Sequence, residues 1–268
     1  MQFSVYSELQ TWPGKTQQQI YAEALEQVVN ADRLGYSTYS IIEHFFFPKF
    51  GASPNPFAFF AKCSERTRRI KFRTLVHVLP YHNPTADSTY ELAGARGYAM
   101  VVPPLLPYEA MRTQLDIYRA SCAKHGNQPD IVWIHACYLD EDRDIAKHEA
   151  MNMMRGFLKG NASVLLENKE EMAPKEKLEA SGYGFYASGI MEQLSDMPYN
   201  EMIANDVVWV GTPKDVIERI EAVRKLCAGL TEVAITVNPG GVEHWKAIKT
   251  QELFARHVMP HFATTGAL

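Results

Sequence analysis

Tyr39, Ser40, Ile41 and Ile42 form a mostly apolar run of strand length that stops abruptly at Glu43 and His44, with Phe45, Phe46 and Phe47 immediately behind. A buried strand cannot carry adjacent ionisable groups through its middle without a large desolvation cost. At its carboxyl end it can, because there the chain leaves the core. Similar strand-like runs recur at 3–7, 70–79, 98–102, 131–139, 207–211 and 232–237, and most are separated by stretches of helical periodicity. Right-handed crossovers make a parallel sheet the natural product of that alternation. In parallel α/β proteins small molecules sit at the carboxyl ends of the strands. By residue type alone, Glu43 and His44 fit a surface strand end with a salt bridge as well as they fit a catalytic pair.

The helices carry their own punctuation. Thr16 caps a helix whose apolar face is Ile20, Ala24, Leu25, Val28, Ala31 and Leu34, and Gly35 stands where a left-handed cap is expected. Thr212 and Pro213 open another in the same way. Asp140, Asp142 and Asp144 place acids at the start of a third. Residues 161–205 are the least regular part, as expected of a loop or lid over the mouth of a barrel.

A chain of 268 residues, 46% hydrophobic and 22% charged, has ample material for a core and reads as a single domain. Net charge −4 and a pI near 6.1 argue against a nucleic-acid partner. The amino terminus reads as a strand rather than a signal peptide, and no apolar run approaches membrane-spanning length. Cys63, Cys122, Cys137 and Cys227 lack metal-ligand or CxxC spacing, so reduced buried thiols in a cytoplasmic protein are expected, with no metal site.

Several motifs, in order, resemble the bacterial luciferase-like family of flavin-dependent monooxygenases. They are Ile42-Glu43-His44-Phe45, Val78-Leu-Pro-Tyr-His-Asn-Pro84, Tyr90-Glu-Leu-Ala-Gly-Ala-Arg-Gly97, Val210-Gly-Thr-Pro213, Pro239-Gly-Gly241 and the tail from Leu253 to Phe262. Each is weak alone; their order across most of the chain makes the signal. The resemblance implies a TIM-type (β/α)8 barrel holding reduced flavin mononucleotide (FMN) at the strand ends. Its peroxyflavin, formed with O2, would oxidise an aldehyde or another small apolar substrate.

The resemblance also implies roles. His44 becomes the active-site histidine, able to move a proton to or from the reacting adduct. Glu43 fixes its tautomer or faces a neighbouring helix, and His82 shares the pocket or serves as a turn residue. Phe45, Phe46 and Phe47 line an apolar face against the flavin ring and exclude water. Many relatives carry a second histidine where this chain has Phe45, which argues against a two-histidine mechanism. Ser88 and Thr89 hold the flavin phosphate at a helix start, or act as plain N-caps. Thr74 passes beneath the ring or is a core threonine. Reduced flavin would come from a separate reductase, because no G-x-G-x-x-G dinucleotide motif is present.

The chain departs from the family pattern after Pro84, which runs directly into Thr85, Ala86, Asp87 and Ser88. Roughly ninety residues, carrying about two of the barrel's eight strands and an arginine for the phosphate, are skipped. Either the chain is a shortened member with an open barrel, or a segment has been omitted; motifs suited to a complete barrel favour omission. An open barrel exposes strand edges, which predicts a covering homodimer. The rival readings are a relative using the deazaflavin F420 and a non-catalytic flavin-binding protein or partner subunit.

Overall fold

The computed structural model describes residues 1–44, 50–75, 87–102, 108–167, 174–180 and 189–263. Strand and helix alternate as the sequence predicts: β1 (Gln2–Ser7), α1 (Gln17–Leu34), β2 (Thr38–Ile41), α2 (Pro56–Ser64), β3 (Lys71–Thr74), α3 (Asp87–Arg96), β4 (Met100–Val102), α4 (Tyr108–His125) and β5 (Ile131–Leu139). There follow α5 (Arg143–Leu166), three short helices, α6 (Lys175–Ala180), α7 (Ile190–Asp196) and α8 (Tyr199–Ala204), then β6 (Trp209–Gly211), α9 (Pro213–Leu226), β7 (Leu230–Thr236) and α10 (His244–Leu253). The strand expected at 70–79 is Lys71–Thr74; residues 76–79 lie outside the described residues, as does the junction of Pro84 with Thr85.

Local chemistry explains the helix ends. Thr16 and Gln19 form a reciprocal capping box on α1, and Gly35 closes it at φ 87°, a left-handed conformation that glycine adopts without penalty. Thr212 and Asp215 do the same for α9, with Pro213 at its first position. Arg143 makes two bonds to the same Asp215 carboxylate, tying the start of α5 to the start of α9.

All the strand pairs are parallel, in the order β3-β2-β1-β7-β5-β4, and β6 joins the last residues of β5 at Cys137, Tyr138 and Leu139. Beta5 pairs directly with β7 through its first six residues. The sequence pattern does not foresee that pairing, because β6 intervenes in the chain but is only three residues long. All nine residues of β5 are buried, as suits a strand covered on both faces.

Alternate residues divide into two faces. Phe3, Val5, Tyr39, Ile41, Phe72, Trp133, Val233 and Ile235 belong to the large core between sheet and helices. A fully buried side chain of this kind contributes about 1.5–3 kcal/mol, so this layer carries most of the stability. The inner face is smaller: Tyr6, Leu75, Val132, Ile134 and Ala234 form one cluster, with Ile42 and Val101 packed against it. Leu75 follows β3 and Val101 lies on β4, at opposite ends of the hydrogen-bonded order. The sheet therefore curls round a common interior as a barrel does, yet among the described residues β3 and β4 are not paired and the barrel is not closed.

Most of the motifs that carry the family resemblance serve packing. A Cβ on Gly94 would stand 2.6 Å from the Tyr118 carbonyl oxygen, so glycine lets α3 lie against α4. Gly240, at φ 61°, touches the Met153 backbone of α5, and a Cβ on Gly241 would stand 2.5 Å from the Trp12 ring. In the tail, Phe254 packs edge-on against Phe3 with ring centroids 5.4 Å apart. Among the described residues no helix is long and apolar enough to cross a membrane. All four cysteines are free and buried.

Candidate active site

The inner face ends differently at its two mouths. At the amino-terminal mouth Arg73 donates to both oxygens of Glu232 and, through Nε, to Ser40, while the Ser4 hydroxyl also donates to Glu232. A cavity of about 590 Å3 opens beside this pair, bordered by Gln2, Asp130, Arg224 and Phe262 among others. These charges are mutually satisfied.

At the carboxyl mouth β1 runs past Ser7 into Glu8, and β2 runs past Ile41 into Ile42, Glu43 and His44. Tyr6 pairs in register with Ser40, which sets Tyr6, Glu8, Ser40, Ile42 and His44 on the inner parity of their strands. The ladder continues one step beyond the strands, as the Ile42 amide donates to the Ser7 carbonyl. Residues 50–53 then thread between the two strand ends. The Ala52 amide donates to the Leu9 carbonyl and the His44 amide to the Ser53 carbonyl. A Cβ on Gly51 would stand 3.1 Å from both the Glu8 carbonyl oxygen and the His44 Cβ, so this glycine is what allows the two ends to converge.

Glu8 is 3% exposed, and burial pushes its carboxyl up to about 8, against the opposing influence of hydrogen bonds from Asn161 and Tyr6. Asn161, on α5, donates to it through Nδ2 at 3.3 Å. His44 is half-buried, its ring 4.7 Å from that of Phe50 in an edge-on contact, and desolvation lowers its pKa below the ordinary value. At neutral pH this mouth therefore holds a protonated carboxylic acid and an uncharged imidazole. Leu9, between Glu8 and Gln10, has φ 52°, an uncommon backbone conformation for a residue with a side chain.

Unspent hydrogen-bonding capacity collects at the same end. Among the described residues the buried atoms His44 Nδ1, Gln10 Nε2, Ser53 Oγ, Thr236 Oγ1 and Asn238 Oδ1 have no hydrogen-bond partner. Asn238 Nδ2 is bound to the Ser7 hydroxyl, and Gln10 Oε1 accepts from the Gly240 amide, so the two amide side chains are oriented with one end used and one end free. A buried polar atom left unpaired costs about 1–3 kcal/mol. Those at the carboxyl ends of the strands include both donors and acceptors, the kinds of group that could hold the polar edge of a ligand.

Of the residues singled out from sequence, His44 stands in this mouth and Glu43, beside it, is half-buried. Thr74 pairs in register with Ile41, on the helix-facing side of the sheet, while Leu75 enters the interior. Ser88 and Thr89 lie in the first turn of α3. His82, Phe45, Phe46 and Phe47 lie outside the described residues. The sequence reading passed over Glu8, although the signal that picked out Glu43, an ionisable group ending an apolar strand, applies to it equally.

The sequence model of the family described as "Luciferase-like monooxygenase" matches residues 1–87 and 86–229. Its two pieces meet within three residues of Pro84, where the sequence departs from the family pattern. The alkanal monooxygenase alpha chain of Photobacterium leiognathi is 23% identical over 184 residues, 66% of this chain and 50% of that protein. The chain thus aligns with only half the length of that curated relative. The oxygenating constituent of 3,6-diketocamphane monooxygenase from Pseudomonas putida, a type II Baeyer–Villiger monooxygenase solved in complex with FMN, superposes with TM-score 0.72 at 15% identity, over 97% of this chain and 98% of its own. The monooxygenase RslO1 from Streptomyces bottropensis gives 0.70 at 20% identity, over 98% and 100%. These likenesses show a shared fold.

Proposed function

Because the chain belongs to the family of luciferase-like monooxygenases, we propose that it is a flavin-dependent monooxygenase that uses reduced FMN and O2 to oxidise a small apolar substrate such as an aldehyde. The observation that supports this reading best is the set of unpartnered buried polar atoms at the carboxyl mouth, beside a neutral histidine and a neutral carboxylic acid. FMN, when bound, supplies the electrons with which one atom of O2 is reduced to water and the other enters the product.

The chain's own residues bind, orient and move protons. Gln10, Thr236 and Asn238 offer donors and acceptors to the ring edge. His44, uncharged at neutral pH, takes a proton from the reacting group or passes one to it. Glu43 orients the imidazole. Ser88 and Thr89 hold the phosphate at the start of α3, where the positive end of the helix dipole favours an anion. His82, Phe45 and Phe46 keep the pocket-lining roles the resemblance implies. Thr74, facing the helix layer, is assigned no contact with the ring. A separate reductase supplies reduced flavin. Beta3 and β4 end the hydrogen-bonded order, and a second copy of the chain covers those edges.

Purification followed by mass analysis of the released cofactor, with product analysis after mixing with reduced FMN, O2 and decanal, tests the proposal. FMN and decanoic acid are expected. F420 in place of FMN would favour the deazaflavin alternative, and bound FMN without product would favour the non-catalytic one.

A further inference from the structure

We propose that Glu8 is the acid of the carboxyl mouth, a buried carboxyl that gives a proton to a bound ligand and recovers it from solvent. The inference rests on the flavin-site reading of this mouth and goes beyond it, because nothing in the family resemblance assigns a role to the residue that ends β1. Its geometry argues for a use. Glu8 is the first residue beyond β1, on the inner parity, and a Cβ on Gly51 would press on both its backbone oxygen and the His44 Cβ. It is 3% exposed, and the groups bound to its carboxyl, the Tyr6 hydroxyl and the Asn161 amide, are uncharged. A glutamate whose only task was structural would be expected to hold a cation, as Glu232 holds Arg73 at the opposite mouth.

Among the described residues, the elements packed round Glu8 bring few titratable groups. Beta1 itself carries Tyr6, whose hydroxyl is pushed far up by burial and by Glu8. The end of β2 brings Glu43 and His44, and α5 brings the neutral Asn161. Glu8 and His44 are thus displaced in opposite directions, so that the carboxyl keeps its proton while the imidazole does not; pairs displaced in this way divide acid and base roles between them. In the transfer step the Glu8 O–H bond breaks and a new bond forms between that proton and an oxygen or nitrogen of the ligand. The carboxylate left behind keeps the Tyr6 and Asn161 hydrogen bonds until water returns a proton. No electron moves.

Infrared titration of the purified protein, without cofactor, should show a protonated-carboxyl band that disappears with a midpoint near pH 8 and is absent in Glu8→Gln. Asn161→Leu removes a bond that favours the charged form, so the midpoint should move upward. With reduced FMN, O2 and decanal, Glu8→Gln should lose about 10²-fold in rate and the alkaline limb of its pH profile, the scale usual for a lost general acid. A band already absent at pH 6, or a Glu8→Gln protein with wild-type rate and pH profile, overturns the proposal. A wild type that titrates as described but makes no product from decanal separates the two readings: Glu8 is then a neutral acid in a site with other chemistry, and the decanal-oxidising function fails.

Discussion

The amino-terminal mouth of the curled sheet places Arg73, Glu232, Ser4 and Ser40 in one closed set of hydrogen bonds, whereas the carboxyl mouth, among the described residues, leaves Glu8 without a cation and His44, Gln10, Thr236 and Asn238 each with an atom unpaired. Both mouths are capped by residues of the same few strands, so the difference does not come from topology. It comes from whether each polar side chain has been given a partner. Charges that are matched stabilise a single arrangement, while unmatched buried groups cost stability and are retained where a ligand completes them. The cavity of about 590 Å3 lies at the satisfied mouth, beside Arg73 and Glu232.

The comparison breaks most visibly at His44. His44→Ala should lower product formation about 10²–10⁴-fold while FMN still binds, because a general acid–base group is lost and little packing with it. Stopped-flow measurement of rate alongside fluorescence titration of FMN checks both halves. Equal losses in binding and rate would make His44 a binding residue only.

At the other mouth the effect should fall on folding. Arg73→Ala leaves Glu232, 8% exposed at its side chain, buried without its cation, at a cost of about 3 kcal/mol in chemical denaturation. Replacing both partners, Arg73→Met with Glu232→Met, should restore most of that loss, because an apolar pair of similar volume avoids the desolvation of two charges. The double variant should bind FMN as the wild type does. Loss of FMN binding in a well-folded double variant would show that this mouth is functional.

A pH-dependent effect separates Glu8 from both. Its carboxyl is raised from an ordinary 4.5 to about 8, so the folded protein binds a proton more tightly than the unfolded chain. Relative to Glu8→Gln, the wild type should lose stability as pH rises from about 4.5 to about 8 and change no further above that. Denaturation midpoints across this range would show it. A difference independent of pH would mean that Glu8 ionises normally.

How much of this was legible in the sequence follows from the range over which each signal acts. Thr16, Gly35, Thr212 and Pro213 announce helix ends because capping is settled within four residues. His44 is visible because an apolar run ends beside it. Arg73 with Glu232 and Asn161 with Glu8 are invisible, since the partners stand 159 and 153 residues apart and only folding joins them. The direct pairing of β5 with β7 is hidden for a related reason: nothing local reveals that β6 is too short to stand between them. The glycine motifs that signalled the family are packing devices, at Gly94 against α4 and at Gly240 and Gly241 against α5 and Trp12. They identify a fold more securely than a chemistry.

The most direct measurement is a crystal structure of the protein with FMN. The two mouths predict the ring at the carboxyl ends of the strands, with atoms of His44, Gln10, Thr236 or Asn238 that now lack partners bonded to it. FMN seated instead in the cavity beside Arg73 and Arg224, with the carboxyl mouth unchanged, would contradict the account.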